Sequence, residues 1–379
     1  MKFLHTADLH LGKILCEHSF IDDQKHILNE LLKILGDTSY VALLIAGDVY
    51  DRSVPDTNAI NLFSQFLADL STTRPDLDLL ILSGNHDSAS RLGFGKEIFS
   101  RLKIHFVTKP EDMEKPIIIT RHAQKAAFFL MPFFLRRTHY TGDTQSPFVD
   151  SALFLQEAQK KAREEGADWT VLGAHLFASG GAASDSERVF VGTAEQIDIS
   201  RFACFDYIAL GHLHRCQKIG ALNAFYSGSP FAYSFSEAND EKVFLSVDLQ
   251  PNDVQVQKIP VQPLRHLRQY EGLFKDLYDP SSLQDLRDDY LEFILRDPEL
   301  VENAYARLRT KFPNLLSVNQ SKALKKKQTT QIKRKRTESR SIVDDFKQFL
   351  SELYDTVDES QCDLFTEFLH KIEEEEEDI

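Results

Sequence analysis

Three apolar segments near the start of the chain each run without a break into a loop carrying carboxylate, carboxamide or imidazole side chains. Residues 2–4 lead to Asp8-Leu9-His10, residues 41–45 to Gly47-Asp48-Val49-Tyr50-Asp51, and residues 77–82 to Gly84-Asn85-His86-Asp87. Between them, residues 21–35 and 57–70 carry apolar side chains at helical spacing, with Ile27, Leu28, Leu31, Leu32 and Leu35 on one face of the first. Strand, short glycine-containing loop and helix in repetition predict an α/β sheet with helices packed outside it. Open sheets of this kind gather their functional side chains beyond the carboxyl ends of the strands. The chain has 379 residues, 42% of them hydrophobic, enough for one large core and a smaller one.

Further strands are predicted at 104–107, 117–120, 126–131, 170–174, 189–191, 206–210, 224–226 and 243–248, with a helix over about 150–165. Several later strands have no long helix between them, so mixed or antiparallel pairing is expected there, and a two-sheet α/β sandwich fits. That domain is expected to span 1–255. Pro260 and Pro263 then punctuate a polar stretch that reads as a hinge. Residues 256–316 read as a small α/β module, with a helix near 281–294 and a strand-like segment over 304–310. Residues 317–340 read as a basic linker, with nine Lys or Arg and one Glu over 322–340. Residues 341–372 carry amphipathic helices, in which Ile342, Val343, Phe346, Phe349, Leu350 and Leu353 form the first apolar face. Residues 373–379 are an acidic tail.

The loop residues are the kind that bind metal. An Asp-x-His pair offers one carboxylate and one imidazole to one ion. A lone carboxylate such as Asp48 can bridge two ions, which in two-metal sites lie about 3.5–4 Å apart. Asn85 offers a neutral oxygen. Farther along, His175 follows an apolar segment, and Gly211-His212-Leu213-His214 sets two histidines two residues apart, each able to face a different ion. Mixed nitrogen and oxygen ligands suit Mn²⁺, Fe²⁺ or Zn²⁺ better than Ca²⁺. His5, His18, His26, His105, His122, His139, His266 and His370 lack such a context and read as structural or surface residues.

Other features narrow the class. Cys16, Cys204, Cys216 and Cys362 form no CxxC pair, so neither a disulfide framework nor a cysteine zinc site is expected. No apolar run is long enough to cross a bilayer, and the opening residues lack the apolar core of a signal peptide, so a cytoplasmic protein is expected. The net charge of −14 runs against the basic surface expected of a nucleic-acid binder, but divalent ions can reverse the field locally. No G-x-x-x-x-G-K-[ST] loop occurs, so any ATP dependence would come from a partner.

Taken in order, D-x-H, G-D-x-x-D, G-N-H-D, a later His and G-H-x-H resemble the motifs of the calcineurin-like metallophosphoesterases. The strings HTADLHLG, AGDVYDR and LSGNHDS look like those of the SbcD nuclease subunits within that superfamily. The resemblance covers 1–250, and more loosely 255–320. It implies a first ion held by Asp8, His10, Asp48 and His214, and a second held by Asp48, Asn85, His175 and His212, with Mn²⁺ the expected metal. It implies that His86 handles the proton beside the scissile phosphate. Where archaeal relatives have a second histidine past the bridging aspartate, this chain reads Val49-Tyr50-Asp51-Arg52, and Arg52 could contact phosphate instead.

The resemblance further implies 3′–5′ exonuclease action on double-stranded DNA ends and endonuclease action on hairpins, in repair and recombination. Residues 256–316 would cap the DNA, and 341–372 would bind an SbcC-like coiled-coil ATPase. A homodimer within a heterotetramer is implied, with Ile60, Phe63 and Phe66 available to its interface. The competing reading is a stand-alone nucleotide or cyclic-nucleotide phosphodiesterase of the same superfamily.

Overall fold

The computed structural model describes residues 1–134, 147–184, 187, 196–251, 253–279, 286, 288–320, 346, 350, 365 and 366. In chain order the elements are β1 (Lys2–Thr6), β2 (Ile14–Leu15), β3 (His18–Ser19), α1 (Ile21–Leu35), β4 (Tyr40–Ala46), α2 (Thr57–Thr73), β5 (Asp78–Leu82), α3 (Ala89–Leu92), α4 (Lys96–Phe99), β6 (Ile104–Val107), β7 (Ile117–Arg121) and β8 (Gln124–Met131). Then follow α5 (Pro147–Glu164), β9 (Trp169–His175), β10 (Tyr207–Gly211), β11 (Gln217–Lys218), β12 (Ala224–Tyr226), β13 (Val243–Gln250) and β14 (Asp253–Pro260).

Two six-stranded sheets result, ordered β14-β13-β1-β4-β5-β6 and β11-β12-β10-β9-β8-β7. In the first, β1, β4, β5 and β6 run parallel, and β13 and β14 close the edge antiparallel. In the second, β8, β9, β10 and β12 run parallel, with β7 and β11 antiparallel at the edges. Period-two patterning builds the layers. Ala42, Leu44, Leu80 and Leu82 meet Phe128, Leu130, Val171 and Ala209 between the sheets. The alternate residues Leu43, Ile45, Leu79 and Ile81 face outward and are covered by α1 and α2 through Leu28, Leu31, Phe63 and Phe66. The other sheet is covered in the same way by α5. A two-sheet α/β sandwich is therefore the observed core. His5 is buried inside it, between the hydroxyl of Tyr207 (3.1 Å) and the carbonyl of Leu210 (3.2 Å), and has a structural role.

A third sheet follows, made of β15 (Leu267–Gly272), β16 (Tyr290–Leu295) and β17 (Leu315–Asn319), all parallel, with helices α6 (Phe274–Tyr278) and α7 (Ala304–Arg309). It has its own core of Phe274, Leu291, Phe293, Leu308 and Phe312. Three local expectations are corrected here. Residues 290–295, expected within a helix, are a strand, because Leu291, Phe293 and Leu295 alternate into this core; 281–285 lie outside the described residues. Residues 304–309, expected as a strand, are a helix that buries Ala304 and Leu308 one turn apart. The polar stretch expected as a hinge is β14, an edge strand with one face in water, so its apolar positions are few. The first sheet therefore runs to Pro260, and β17 carries Ser317 to Asn319 into the third sheet.

The module is anchored to α1 by a buried cluster. Asp23, with no exposed surface, accepts hydrogen bonds from Tyr290 Oη (2.6 Å) and Arg265 (2.9 Å), and His18 Nε2 lies 3.0 Å from the same Tyr290 hydroxyl. Of the residues expected at a self-association face, Phe63 and Phe66 belong to the core, whereas Ile60 is 46% exposed. Contacts divide the chain into two compact units, Met1–Asp297 with Val301–Asn319, and Pro298–Leu300 with Gln320–Ile379. In the second, Phe346, Leu350, Phe365 and Thr366 are helical, and the rings of Phe346 and Phe365 stack with centroids 4.0 Å apart. The basic stretch 322–340, the acidic tail, His139, His370, Cys362 and the strand expected at 189–191 lie outside the described residues. Among the described residues no helix is long and apolar enough to cross a membrane, and Cys16, Cys204 and Cys216 are unpaired.

Candidate metal centre

β1, β4 and β5 are adjacent and parallel, so the loops that follow them emerge side by side; β9 and β10 do the same in the facing sheet. The first two loops are zipped together by Asp8 N to Gly47 O (3.0 Å), His10 N to Asp48 O (3.0 Å) and Leu11 N to Val49 O (2.9 Å). Side chains and amides of the loops also bond across the two sheets. His212 N donates to both oxygens of Asp8 (3.0 and 3.1 Å), and His175 Nδ1 donates to Ala46 O (2.9 Å). Asp87 ties the third loop to the second by accepting from the backbone amides of Gly84 (2.9 Å), Tyr50 (3.0 Å) and Val49 (3.1 Å).

Two glycines leave the room this requires. Gly47 has φ +92°, and a side chain there would strike the His175 ring. A Cβ on Gly84 would collide with the carboxylate and amide of Asp48. Four of the polar residues sit at positive φ as well: Asp8 (54°), His10 (43°), Asp48 (50°) and His212 (109°). The loops are thus bent into uncommon backbone conformations at the positions that point into the cluster.

All eight residues singled out from the sequence come together. Asp8, His10 and His214 form one group whose ligand atoms lie within 4.8 Å of one another; His10, Asp48 and His86 form a second, and Asp8, Asp48 and His175 a third. His10 Nε2 lies 3.1 Å from His214 Nε2. His175 Nε2 lies 3.3 Å from Asp48 Oδ2 and 3.0 Å from Asn85 Oδ1, and that same oxygen is 2.9 Å from His212 Nδ1. His86 donates its backbone N–H to Asp48 Oδ1 (2.8 Å), and its ring Nδ1 donates to Asp51 O (2.8 Å), since a carbonyl can only accept. Asp8, His10, Asp48, His175, His212 and His214 are all buried.

The donor set fits a divalent cation. Donor atoms about 3 Å apart are what an ion bonded to each at about 2.1 Å requires. His212 Nε2 and Asn85 Nδ2 are buried without hydrogen-bond partners, which a cluster complete in itself would avoid. Two buried carboxylates here share one neighbouring positive charge. Burial alone would lower the His175 pKa, but Asp48 and Asp8 push it up to about 9. Burial would raise Asp48, but His175 and His10 hold it well below the usual carboxylate range. Burial drives Asp8 well above that range, and drives His10 down to about 4 and His212 to about 3, so both imidazoles present lone pairs.

Other residues support the cluster, and among them Gln24, Lys13, Glu187 and Glu237 had no cue in the sequence. Gln24, on α1, bonds to His10 O (2.7 Å) and to Gly12 N (2.9 Å), fixing the first loop. Asp51 is held by Lys13 (2.8 Å) and lies 3.4 Å from His10 Nδ1, a near contact rather than a formed bond. Glu237 lies 3.2 Å from His214 Nδ1, and Glu187 borders the same cleft as Lys13 and His86. Arg52 is largely exposed beside Asp51. A groove of about 890 Å³ opens beside Asn85, passes Phe133 and Ser88, and reaches Lys96 and Lys109.

Residues 1–216 match the calcineurin-like phosphoesterase family, and residues 260–354 match the family described as the type 5 capsule protein repressor C-terminal domain. The SbcD subunit of the SbcCD nuclease of Staphylococcus epidermidis is 31% identical over 350 residues, covering 91% of this chain and 92% of that protein. The SbcD subunit of the SbcCD nuclease of Staphylococcus saprophyticus is 32% identical over 321 residues, 84% of each. With the sandwich and the clustered ligands, these matches establish that the chain belongs to the calcineurin-like metallophosphoesterases and is closely related to the SbcD subunits of SbcCD nucleases.

Proposed function

We propose that the chain is a two-metal phosphodiesterase that cleaves DNA, as the nuclease component of a complex with an SbcC-like ATPase. The observation that carries this reading is the convergence of three ligand groups that share Asp8, His10 and Asp48. In this reading Asp8, His10, Asp48 and His214 hold one ion, and Asp48, Asn85, His175 and His212 the other, with Asp48 common to both. Bound divalent ions supply Lewis-acid stabilisation of the phosphate and an activated water nucleophile.

The chain's own residues do the rest. His175 is oriented by Ala46, and Asp8 by the His212 amide. His86, as an imidazolium with Nδ1–H donated to Asp51 O, would give its Nε2 proton to the leaving oxygen. Lys13 and Arg52 stand beside the cleft as cations for phosphate. The third sheet, anchored through Asp23, is assigned to holding duplex DNA, and the groove past Phe133 to receiving a strand.

Self-association is assigned to the apolar face where Ile60, Phe94, Ile98 and Leu102 are exposed beside a groove of about 620 Å³. Residues 341–372 are assigned to the ATPase partner. The metal is proposed to be Mn²⁺, on the resemblance and on the mixed donor set.

The test is cleavage of end-labelled duplex and hairpin DNA beside bis-p-nitrophenyl phosphate, with Mn²⁺ and with EDTA. Mn²⁺-dependent cutting of both DNAs is expected. Hydrolysis of the small diester with no DNA cleavage, with or without the partner and ATP, would retain the metal site and favour a small-molecule phosphodiesterase.

A further inference from the structure

The two nitrogens of His214 face opposite surroundings. Nε2 lies 3.1 Å from His10 Nε2, inside the metal cluster. Nδ1 lies 3.2 Å from Oε1 of Glu237, a carboxylate 23 residues away in sequence with no exposed surface. Glu237 accepts from Lys242 Nζ (2.7 Å), Ser234 Oγ (2.9 Å), Ser184 Oγ (3.3 Å), Tyr233 N (3.3 Å) and Ser229 Oγ (3.4 Å). Lys242 also donates to His214 O (3.0 Å), so one ammonium fixes both the carboxylate and the backbone of the histidine. A buried carboxylate is costly unless it is paired and hydrogen-bonded, and this one is satisfied on all sides with one edge given to an imidazole. The other buried partner set differs: His175 Nδ1 rests on a neutral backbone carbonyl.

We propose that Glu237 is a positioning residue of the metal centre, holding His214 as the Nδ1–H tautomer with the Nε2 lone pair aimed at Asp8 and His10. The inference rests on the two-metal reading above and deepens it. An ionised acceptor orients the ring and makes it a more basic ligand than a neutral acceptor would, and the loss of such partners typically costs 10–100-fold in metal affinity. The alternative role is structural, with Glu237 serving only to neutralise Lys242.

The first test uses the unaltered full-length, metal-free chain. Long-range ¹H–¹⁵N spectra of histidine-labelled protein report the His214 tautomer, with its resonance assigned by its loss in His214→Gln. A protonated Nδ1 is expected; a protonated Nε2 would overturn the proposal.

The second test is Mn²⁺ titration by calorimetry of the wild type, Glu237→Gln and Glu237→Met, with Tyr290→Phe as a destabilised variant outside the cluster. One of two ions should bind 10–100-fold more weakly to Glu237→Met. Glu237→Gln, which keeps an acceptor, should lose less, and Tyr290→Phe should bind as the wild type does. Two ions bound with unchanged affinity in both Glu237 variants would overturn the positioning role alone. A wild type that takes up no Mn²⁺ would overturn the metal reading, and this inference with it.

Discussion

His86 touches the cluster twice, through its amide to Asp48 and through its ring to Asp51. Replacing the side chain leaves the amide in place, so the Asp48 carboxylate keeps its donor. His86→Ala is therefore expected to bind Mn²⁺ as the wild type does while turnover falls about 10²–10⁴-fold, the usual contribution of a proton-transferring group. Calorimetry beside a rate assay checks both halves, and near-normal turnover with metals bound would remove His86 from the chemistry. At this scale the sequence was informative because the ligands lie in short runs directly after apolar strands. Asp8 and His10, Asn85 and His86, and His212 and His214 each announce one another. Glu237 and Gln24 were not legible, because their partners lie 23 and 14 residues away and no local pattern links them.

At the scale of elements, the third sheet depends on a few polar bonds to α1. Tyr290, at the start of β16, gives its hydroxyl to Oδ2 of the buried Asp23, and Arg265 donates to the same oxygen. Hydrogen bonds to charged groups contribute about 1.5–3 kcal/mol, so Tyr290→Phe should lower unfolding free energy by about that amount in denaturant titration. A loss near zero would mean that Arg265 alone satisfies Asp23.

The elements misread from the sequence all belong to this module or its approach. The core strands are apolar on both faces, which makes them unmistakable. β14 has one wet face, and β16 and α7 are too short to distinguish a period of two from one of 3.6. Their identity is decided by which residues reach the small core around Phe293.

At the scale of the molecule, the ligand cluster lies wholly within the unit formed by Met1–Asp297 and Val301–Asn319. Removing 320–379 leaves β17 intact, since that strand ends at Asn319. The shortened chain is expected to hydrolyse bis-p-nitrophenyl phosphate at the wild-type rate and to lose stimulation by the ATPase partner and ATP. Retained stimulation would move the partner contact out of the C-terminal segment. The sandwich was legible in advance because strand–loop–helix repetition over 1–107 dictates parallel order. The return of β13 onto β1, with β14 paired outside it, depends on pairing about 240 residues apart, which only the structure reveals.

The bent backbone at Asp8, His10, Asp48 and His212 has a consequence for how such a chain can be improved. Side chains other than glycine hold left-handed conformations at a cost; Asp and His tolerate the αL region better than most residues, and His212, at 109°, lies outside it. Glycine would relieve that cost, although at Asp8 and Asp48 it would also remove the carboxylates that accept from the His212 and His86 amides. Each such exchange would also delete a donor from the cluster. Wherever a selection for thermal stability without a selection for activity relieved that strain by glycine, it would also remove a ligand, and its products would be inert.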